Sequence, residues 1–334
     1  MTDFLFNREV RVEFTNRDDP DDVVVIGTPD PSVGEQVPKI IGAEPLKIDF
    51  QVAKQLSTEH NRADIDISNI SDDSASKINF RKPTLAFRFG RKVEIFAGYE
   101  GRIKKIFSGV VISAITSREA TIKVTRIECR NIFYELMQLP INISFPGGDD
   151  VKKENKLKSN AILKILKIIG ATITPAGEAL LKSRLGDTVF KDATNFTGTA
   201  WNVINQINRG LTSSVVISFD DVATSFNPVG IPLDEPPTIY DQSTGLLGTP
   251  QPTEIGADFK IMLDPDLKIS SPVLLLSDTI QAFFGAGTEF TTTGRFVVKQ
   301  IVHSGTNRAD GVFESRVISV FNRTNQIETT FAVA

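Results

Sequence analysis

The fold of this chain is decided by residues 45–70, PLKIDFQVAKQLSTEHNRADIDISNI. Apolar residues recur in this stretch at every second position, namely Leu46, Ile48 and Phe50 and then Ile65 and Ile67. Since successive side chains of a strand point to opposite faces of a sheet, this period of two predicts strands with one buried face and one polar face.

The same period continues through the first part of the chain and predicts a β domain over residues 1–146. Val93 and Ile95 alternate with charged residues, and glycines at 90, 98 and 101 mark turns at the spacing of a meander or barrel. In the run from Thr121 to Cys129 the apolar residues change parity, which predicts a β-bulge that puts all of them on one side. Residues 17–43 are rich in Asp, Pro and Gly, and we interpret them as a long excursion between strands.

The period changes to that of helices over residues 147–229, which predicts a small α/β middle domain. Apolar residues from Ile162 to Ile169 follow helical spacing, with Ser159 as the expected N-cap and Gly170 as the helix stop. A second helix is predicted over 200–208 with Thr199 as its N-cap, followed by a strand at Val215, Ile217 and Phe219.

The remaining residues form a linker and a second β domain in this interpretation. Residues 230–256 are dense in Pro, Gly and Thr without periodicity, which predicts a linker or an extended arm. Apolar alternation returns over 257–334. The order of strand, turn and strand in VEIFAGYEG and RIKKIFSGVV is repeated weakly in PVLLLSDT and RFVVKQIVHSG. The predicted fold class is therefore mainly β, with two antiparallel β domains flanking a small α+β domain.

No catalytic, cofactor-binding or metal site is predicted. The chain has only His60, His303 and Cys129 as nitrogen or sulfur ligands, and none of the three lies at ligand spacing from another. Asp64 with Asp66, and Asp264 with Asp266, are interpreted as solvated strand positions, because neither pair continues into a calcium-loop pattern.

One further pattern, Ser74 and Lys77, fits S-x-x-K, but its companion motifs are missing from the sequence. We interpret it as a capped, solvent-facing helical turn. Cys129 is expected to be a buried structural thiol.

Composition restricts the partners. With 37 Lys and Arg against 41 Asp and Glu, the formal net charge is −4, which disfavours a dedicated nucleic-acid binder. The first residues lack the pattern of a signal peptide, and no apolar run approaches the ~20 residues that a membrane helix needs. No membrane insertion and synthesis in a bacterial host cytoplasm are expected.

Three stretches together are similar to the baseplate hub proteins of contractile-tailed bacteriophages, a family that includes late-control-D-like proteins and the N-terminal part of type VI secretion spike proteins. They are residues 45–130, the helices SNAILKILKIIG and GTAWNVINQINRG, and the final part from FKIMLDPDLKIS to RVISV. The positions that match the family pattern are Asn61, Ala63, Ala97, Gly98, Tyr99, Phe107, Gly109, Gly294, Phe296, Val298, His303 and Gly305.

The resemblance implies a non-enzymatic structural protein with two tail-tube-like β-barrel domains in each chain. It implies a homotrimer in the tail baseplate of a virion, which joins the sixfold tail tube or tube-initiator proteins to the threefold central spike and contacts other baseplate proteins. DNA would pass through its channel without specific binding. Two alternatives remain open: another tail or injection-apparatus ring component, such as a distal tail or tube-initiator protein, and a cell-wall hydrolase attached to tail-like domains.

Overall fold

The computed structural model describes residues 7–28, 46–56, 61–78, 90–99, 102–170, 175–185, 188–208, 215–219, 224–228, 232–277 and 293–322. These residues form a mainly β protein with one large, mostly antiparallel sheet and a smaller group of helices. The predicted fold class is confirmed at this level. The path of the large sheet runs β13-β14-β17-β16-β3-β4-β7-β6-β5-β1-β2, and it is open rather than closed in the described part of the chain.

The N-terminal half of the sheet is built from seven strands and one helix. These are β1 (Arg8–Thr15), β2 (Val23–Gly27), β3 (Ile48–Gln55), β4 (Arg62–Ser68), α1 (Asp72–Ile78), β5 (Lys92–Tyr99), β6 (Lys104–Glu119) and β7 (Ile122–Arg130). Their apolar sides enclose one core, in which Phe14, Ile48, Ile65, Ile95 and Phe107 are almost completely buried. The alternation read from the sequence therefore reflects a real buried face.

The C-terminal half contains six strands around a second core. These are β12 (Thr238–Tyr240), β13 (Leu246–Thr253), β14 (Gly256–Met262), β15 (Pro272–Leu276), β16 (Thr293–Thr306) and β17 (Phe313–Phe321). Phe259, Ile261, Leu275, Val298 and Val317 are central members of this core. All pairs in this half are antiparallel except β12 with β15.

Five strands of each half share one topology. The order in the first half is β3-β4-β7-β6-β5, and the order in the second is β13-β14-β17-β16-β15. The fourth strand in sequence, β6 or β16, is the long one in both, and each shifts register against its neighbour near its middle, at Val111/Ser113 and at Val298/Gln300. We call these two sets of strands unit 1 and unit 2. The strand order that is weakly repeated in the sequence corresponds to β5 with β6 in unit 1 and to β15 with β16 in unit 2.

The two units are joined edge to edge. Residues Gln300 to Thr306 of β16 pair antiparallel with Gln55 to Asp49 of β3, so the sheet continues from unit 2 into unit 1 without interruption. Leu263 and Phe313 belong to unit 2 by sequence but lie in the core of unit 1. The units therefore share both a hydrogen-bonded ladder and part of a core.

A helical module lies between the units in sequence and has its own core. It contains α2 (Ile132–Met137), β8 (Pro140–Phe145), α3 (Lys153–Lys156), α4 (Lys158–Ile168), α5 (Pro175–Leu185), β9 (Thr194–Thr199), α6 (Ala200–Asn208), β10 (Val215–Phe219) and β11 (Thr224–Pro228). Phe133, Met137 and Phe145 pack with α4 and α6 in this core. The expected boundary near residue 146 thus lies after residues that already belong to the helical core.

Two segments expected to lack regular structure contain strands. In the 17–43 excursion, residues 23–27 form β2 and pair with β1 through a turn at 16–22, while 29–45 lie outside the described residues. In the 230–256 linker, β12 pairs with β15 and β13 pairs with β14. β13 was not predicted because it contains Pro250 and Pro252, which an edge strand tolerates where the N–H would face outward. β12 has only three residues and directly follows Pro236 and Pro237.

The structure corrects the predicted bulge in β7, the predicted N-cap of α4 and the predicted burial of Leu46. β7 has no bulge: Thr125, Ile127 and Cys129 are buried, Ile122 is 47% exposed, and the extra residue lies opposite in β6. Ser159 is buried in the first turn of α4 and Leu157 is its N-cap, without a side-chain hydrogen bond. Leu46 is only half-buried at the rim of its core. In contrast, Thr199 Oγ1 accepts from Asn202 N as the N-cap of α6, and Gly170 follows α4 with a φ of +78°.

Candidate functional site

The side of the sheet opposite the cores carries a continuous set of charged residues across both units. We call this set the charged face; it comprises Arg62, Asp64, Asp66, Arg126, Glu128, Arg130, Asp258, Lys260, Glu314 and Arg316. Cross-strand pairs connect them, from Asp64 opposite Glu128 in unit 1 to Lys260 opposite Arg316 in unit 2. Gln51 and Ser304, opposite each other where the units join, bridge the two parts. The sheet therefore presents one long polar surface.

Charges on this face are balanced locally. Arg316 makes a bidentate contact with Asp258, with Nη2 2.5 Å from Oδ2, and this carboxylate raises the pKa of the Arg316 guanidinium. Lys260 lies 2.7 Å from Glu314, and Arg130 lies 2.6 Å from Glu128. Acidic and basic residues are equal in number in the charged face as defined. Because exposed ion pairs contribute little to stability, their main effect is to cancel the field of each basic side chain.

The joint between the units is fixed by the loop between β16 and β17. Asn307 Oδ1 accepts from Ile48 N at 3.0 Å, and Asn307 Nδ2 donates to Leu46 O at 2.7 Å. Ile48 O in turn accepts from Asn307 N at 3.2 Å. One asparagine thus continues the strand pairing beyond Thr306 and holds the chain entering β3.

Aromatic and cationic groups close the joint on the core side. Phe313 packs edge-on against Phe50 and Tyr99, with ring centroids 6.2 Å and 5.3 Å apart. The Arg8 guanidinium lies 5.6 Å from the Phe313 ring centre and donates to the carbonyl oxygens of Arg308 and Gly311. Burial raises the pKa of Tyr99. The joint is therefore a packed interface whose geometry is held by specific contacts from both units.

A buried arginine organises the far side of unit 1. Arg91 is 5% exposed; its Nε donates to Lys77 O at 2.7 Å, and its Nη2 lies 2.5 Å from Asp22 Oδ2. This guanidinium, through its hydrogen bond, holds the pKa of Asp22 below its usual value. Arg91 therefore ties the end of α1 to the turn between β1 and β2. Neither Arg91 nor Asn307 stood out in the sequence, because their partners lie far away along the chain.

The residues considered for chemistry are not brought together in the described part of the chain. His303 is 1% exposed, with Nδ1 2.7 Å from Ser315 Oγ, and burial lowers its pKa to about 3. Cys129 is fully buried, and burial raises the pKa of its thiol. Both are thus held uncharged within the sheet, and His60 lies outside the described residues.

The other candidate positions have local partners. Ser74 Oγ contacts Ser71 Oγ at 3.0 Å and Lys77 Nζ pairs with Asp73, so the S-x-x-K pair is a capped turn of α1 as expected. Asp264 and Asp266 follow the end of β14 rather than lying in a strand, so the interpretation as solvated strand positions was wrong for this pair. Asp264 Oδ2 accepts from the Tyr240 hydroxyl at 2.5 Å, and Asp266 pairs with Lys104. Within the described ranges no group of three or more His, Cys, Asp or Glu could hold a metal ion, and no helix is long and apolar enough to span a membrane.

Comparison with known proteins gives a result at the level of the fold. No family model matches the sequence, and no curated protein matches it. Among solved structures, the 43 kDa tail protein of prophage MuSo2 from Shewanella oneidensis is similar, with a TM-score of 0.54, 8% identity, and coverage of 94% of this chain and 99% of that one. A tail protein from Neisseria meningitidis MC58 has a TM-score of 0.54 and 10% identity, with coverage of 95% and 97%. The predicted resemblance to tail proteins is confirmed for the fold over nearly the whole chain.

Proposed function

We propose that this chain, which shares its fold with prophage tail proteins, is a structural hub of a phage-type baseplate. In this role three copies join a sixfold tail tube, or its initiator ring, to a threefold central spike and contact other baseplate proteins. The division into a first tube-like domain, a helical middle domain and a second tube-like domain is part of the proposal, with the first boundary near Asn131. The protein is assembled in the host cytoplasm, located in the virion tail, and has no enzymatic activity.

One observation carries the proposal: the chain contains two units of identical strand order joined edge to edge through β16 and β3. Three copies of a chain with two such units supply six similar units around one axis, while the sequence differences between the units keep the symmetry threefold. A protein with one unit per chain would have no need of this arrangement. Two similar units in each of three chains are useful where a sixfold tube meets a threefold spike, because the six units match the tube and the three chains match the spike.

The charged face supports a passive channel in the same proposal. A surface that grips DNA needs a surplus of Lys and Arg to neutralise phosphates. On the charged face the basic residues pair with acids, as Arg316 does with Asp258 and Lys260 with Glu314. A ring of units whose charged faces line the axis would offer DNA no continuous basic stripe.

Native mass spectrometry of the purified full chain tests the proposal. We expect a complex with three times the 36.7 kDa mass of the chain, which native mass spectrometry distinguishes from one or six copies. Immunogold labelling of virions from a producing strain should then mark the baseplate end of the tail. A monomer at every concentration up to about 100 µM, or a six-copy ring, would contradict the trimeric hub; a label along the tail sheath would contradict the location.

A further inference from the structure

The inference concerns how one copy contacts the next, and it starts from the edge of β16. One edge of this strand has two successive partners: β15 pairs along Thr293–Val297, and β3 pairs along Gln300–Thr306. The opposite edge is occupied by β17. The long fourth strand of unit 2 thus pairs within its own unit first and with the neighbouring unit afterwards.

β6 is the equivalent strand of unit 1, and the second half of the same edge has no strand partner in the described part of the chain. β5 pairs along Lys104–Val110, and β7 occupies the opposite edge along Val110–Glu119. The β6–β7 hairpin closes with a two-residue turn after the Glu119–Ile122 pair, so the residues at odd positions from Ser113 to Glu119 bond to β7. The backbone groups of Ala114, Thr116 and Arg118 therefore point outward.

β13 supplies the reciprocal edge. It is the unit 2 equivalent of β3, and among the described strands it pairs only with β14. The cross-strand register shows that Gln51 of β3 and Gln251 of β13 are equivalent. In unit 1, Gln51 lies opposite Asp64, and Asp64 lies opposite Glu128. In unit 2, Gln251 lies opposite Asp258, and Asp258 lies opposite Ile318. Each chain thus contains one filled joint, and the equivalent edges of β6 and β13 have no second strand partner among the described residues.

We propose that Ser113–Glu119 of one copy lies antiparallel to the β13 edge of the next copy, as β16 lies against β3 within a chain. This inference rests on the proposed function for the presence of several copies, and it names the surfaces by which they meet. The equivalence predicts the register as well. Ile115 lies opposite Thr253 and Ser117 lies opposite Gln251, in the places where Val302 faces Ala53 and Ser304 faces Gln51.

Exposed apolar side chains mark the same two edges. Ile115 is 65% exposed and Ile122 is 47% exposed on the β6–β7 hairpin, while Leu247 and Ile255 are 38% and 51% exposed at β13 and its turn. Ile255 lies in the turn directly after Thr253, the residue that Ile115 faces in the proposed register. Ser117 Oγ is shielded from solvent and has no hydrogen-bond partner among the described residues. In the proposed register the side-chain amide of Gln251 would lie opposite this hydroxyl.

Pro252 disfavours pairing of the β13 edge with a second β13 edge. Thr253 and Gln251 bond to β14, so Pro252 is the residue whose backbone points outward. Pro252 offers a carbonyl acceptor but no N–H donor, and Thr116 of the neighbouring copy would provide the N–H that it accepts. Pairing of two β13 edges with each other is disfavoured at this position, because neither strand could donate. The proposed contact joins a β6 edge to a β13 edge and is therefore head to tail, and in the proposed trimer it gives a ring with six joints.

A disulfide between copies tests the register directly. Ile115 and Thr253 form a pair without mutual backbone hydrogen bonds, whose Cα atoms lie about 4.5 Å apart in antiparallel sheets, within the range for a disulfide. We expect the variant Ile115→Cys/Thr253→Cys, oxidised as the full-length assembly, to give covalent two-chain and three-chain species on a non-reducing gel. A reductant should convert them to single chains. Cys129 is buried and stays out of the reaction.

The equivalent pair within one chain is the matched control. Ala53→Cys/Val302→Cys should form its disulfide without linking chains, since these residues face each other where the units join. If this control closes and the complex has the mass of three chains, but the test pair links none of them, the inference is overturned while the trimeric hub stands. If the chain is a monomer throughout, both the hub and this inference fail.

A substitution at the edge gives an independent measurement. Ile115→Lys would bury an ammonium group in the contact, and we expect the dissociation constant of the trimer to rise at least about tenfold by light scattering. Ile168→Lys is the control, because Ile168 is also exposed (56%) but lies on α4 of the helical module. Equal weakening by both variants, or by neither, would contradict the assignment of this edge.

Discussion

His303 Nδ1 lies 2.7 Å from Ser315 Oγ across two adjacent strands, and both residues are buried. Ser315 Oγ also accepts from Asp264 N at 3.3 Å, so the serine connects the end of β14 to the strand that joins the units. A neutral imidazole satisfies this arrangement by accepting the hydroxyl proton at Nδ1. The matched position of His303 in the hub pattern therefore has a structural explanation within the sheet.

Acid should weaken the protein through His303. Burial lowers the pKa of His303 from 6.5 to about 3, so between these values the unfolded chain binds a proton that the folded chain does not. The free energy of unfolding then falls as pH decreases through this window, by up to about 1.4 kcal/mol per pH unit. His303→Gln should flatten this slope in urea titrations. Ser315→Ala should keep it, since the imidazole is still present; identical slopes for His303→Gln and the native chain would contradict the assignment.

Removal of the Asn307 side chain should loosen the joint between the units. Asn307→Ala deletes the bonds to Ile48 N and Leu46 O, at an expected cost of about 2 kcal/mol in the free energy of unfolding. Asn307→Asp keeps the acceptor for Ile48 but sets a carboxylate oxygen against Leu46 O, so it should cost at least as much. Chemical denaturation measures both variants, and hydrogen exchange should show the loss concentrated in β3 and the 307–312 loop.

Arg91 should be more important for stability than its ion-pair partner. Arg91→Met removes the side-chain donor to Lys77 O and, among the described residues, leaves Asp22 Oδ2 with Asn16 Nδ2 alone, so it should cost about 3 kcal/mol in the free energy of unfolding. The Asp22 side chain is 33% exposed, so Asp22→Asn leaves a group that water can reach and should cost less. Thermal unfolding and hydrogen exchange of α1 check this order, and a larger loss from Asp22→Asn would disprove it.

The charged face should not retain DNA in the native protein. We expect a structure of the assembled ring to show no stacked Lys or Arg rings directed at the axis in either unit. Conversely, Asp64→Lys with Glu128→Lys should create a basic stripe and produce salt-sensitive DNA binding in gel shifts. Glu178→Lys, in α5 of the helical module, makes the net charge more positive without placing a lysine on the charged face. DNA binding by the native ring at 150 mM salt would favour a gripping role instead.

Much of the architecture follows from patterns that are local in the chain. The period of two at Ile48, Phe50, Ile65 and Ile67 predicts strands and their buried face, because alternation along a strand depends only on backbone geometry. Helical spacing with Thr199 and Gly170 predicts the limits of two helices for the same reason. The resemblance to tail proteins rests on such positions, and the shared fold confirms it.

Features that depend on contacts between residues far apart in the sequence were decided only by the tertiary structure. Pro252 concealed an edge strand, because proline disfavours strands in general but fits an edge whose N–H faces outward. The β-bulge lies in β6 rather than β7, since only the pairing of two strands defines which one has the extra residue. The bonds of Asn307 to Leu46 and Ile48 span more than 250 residues of sequence, and no local pattern could predict them. The sequence by itself thus determined the strands and their faces, whereas the joint between the units came from contacts that exist only once the chain has folded.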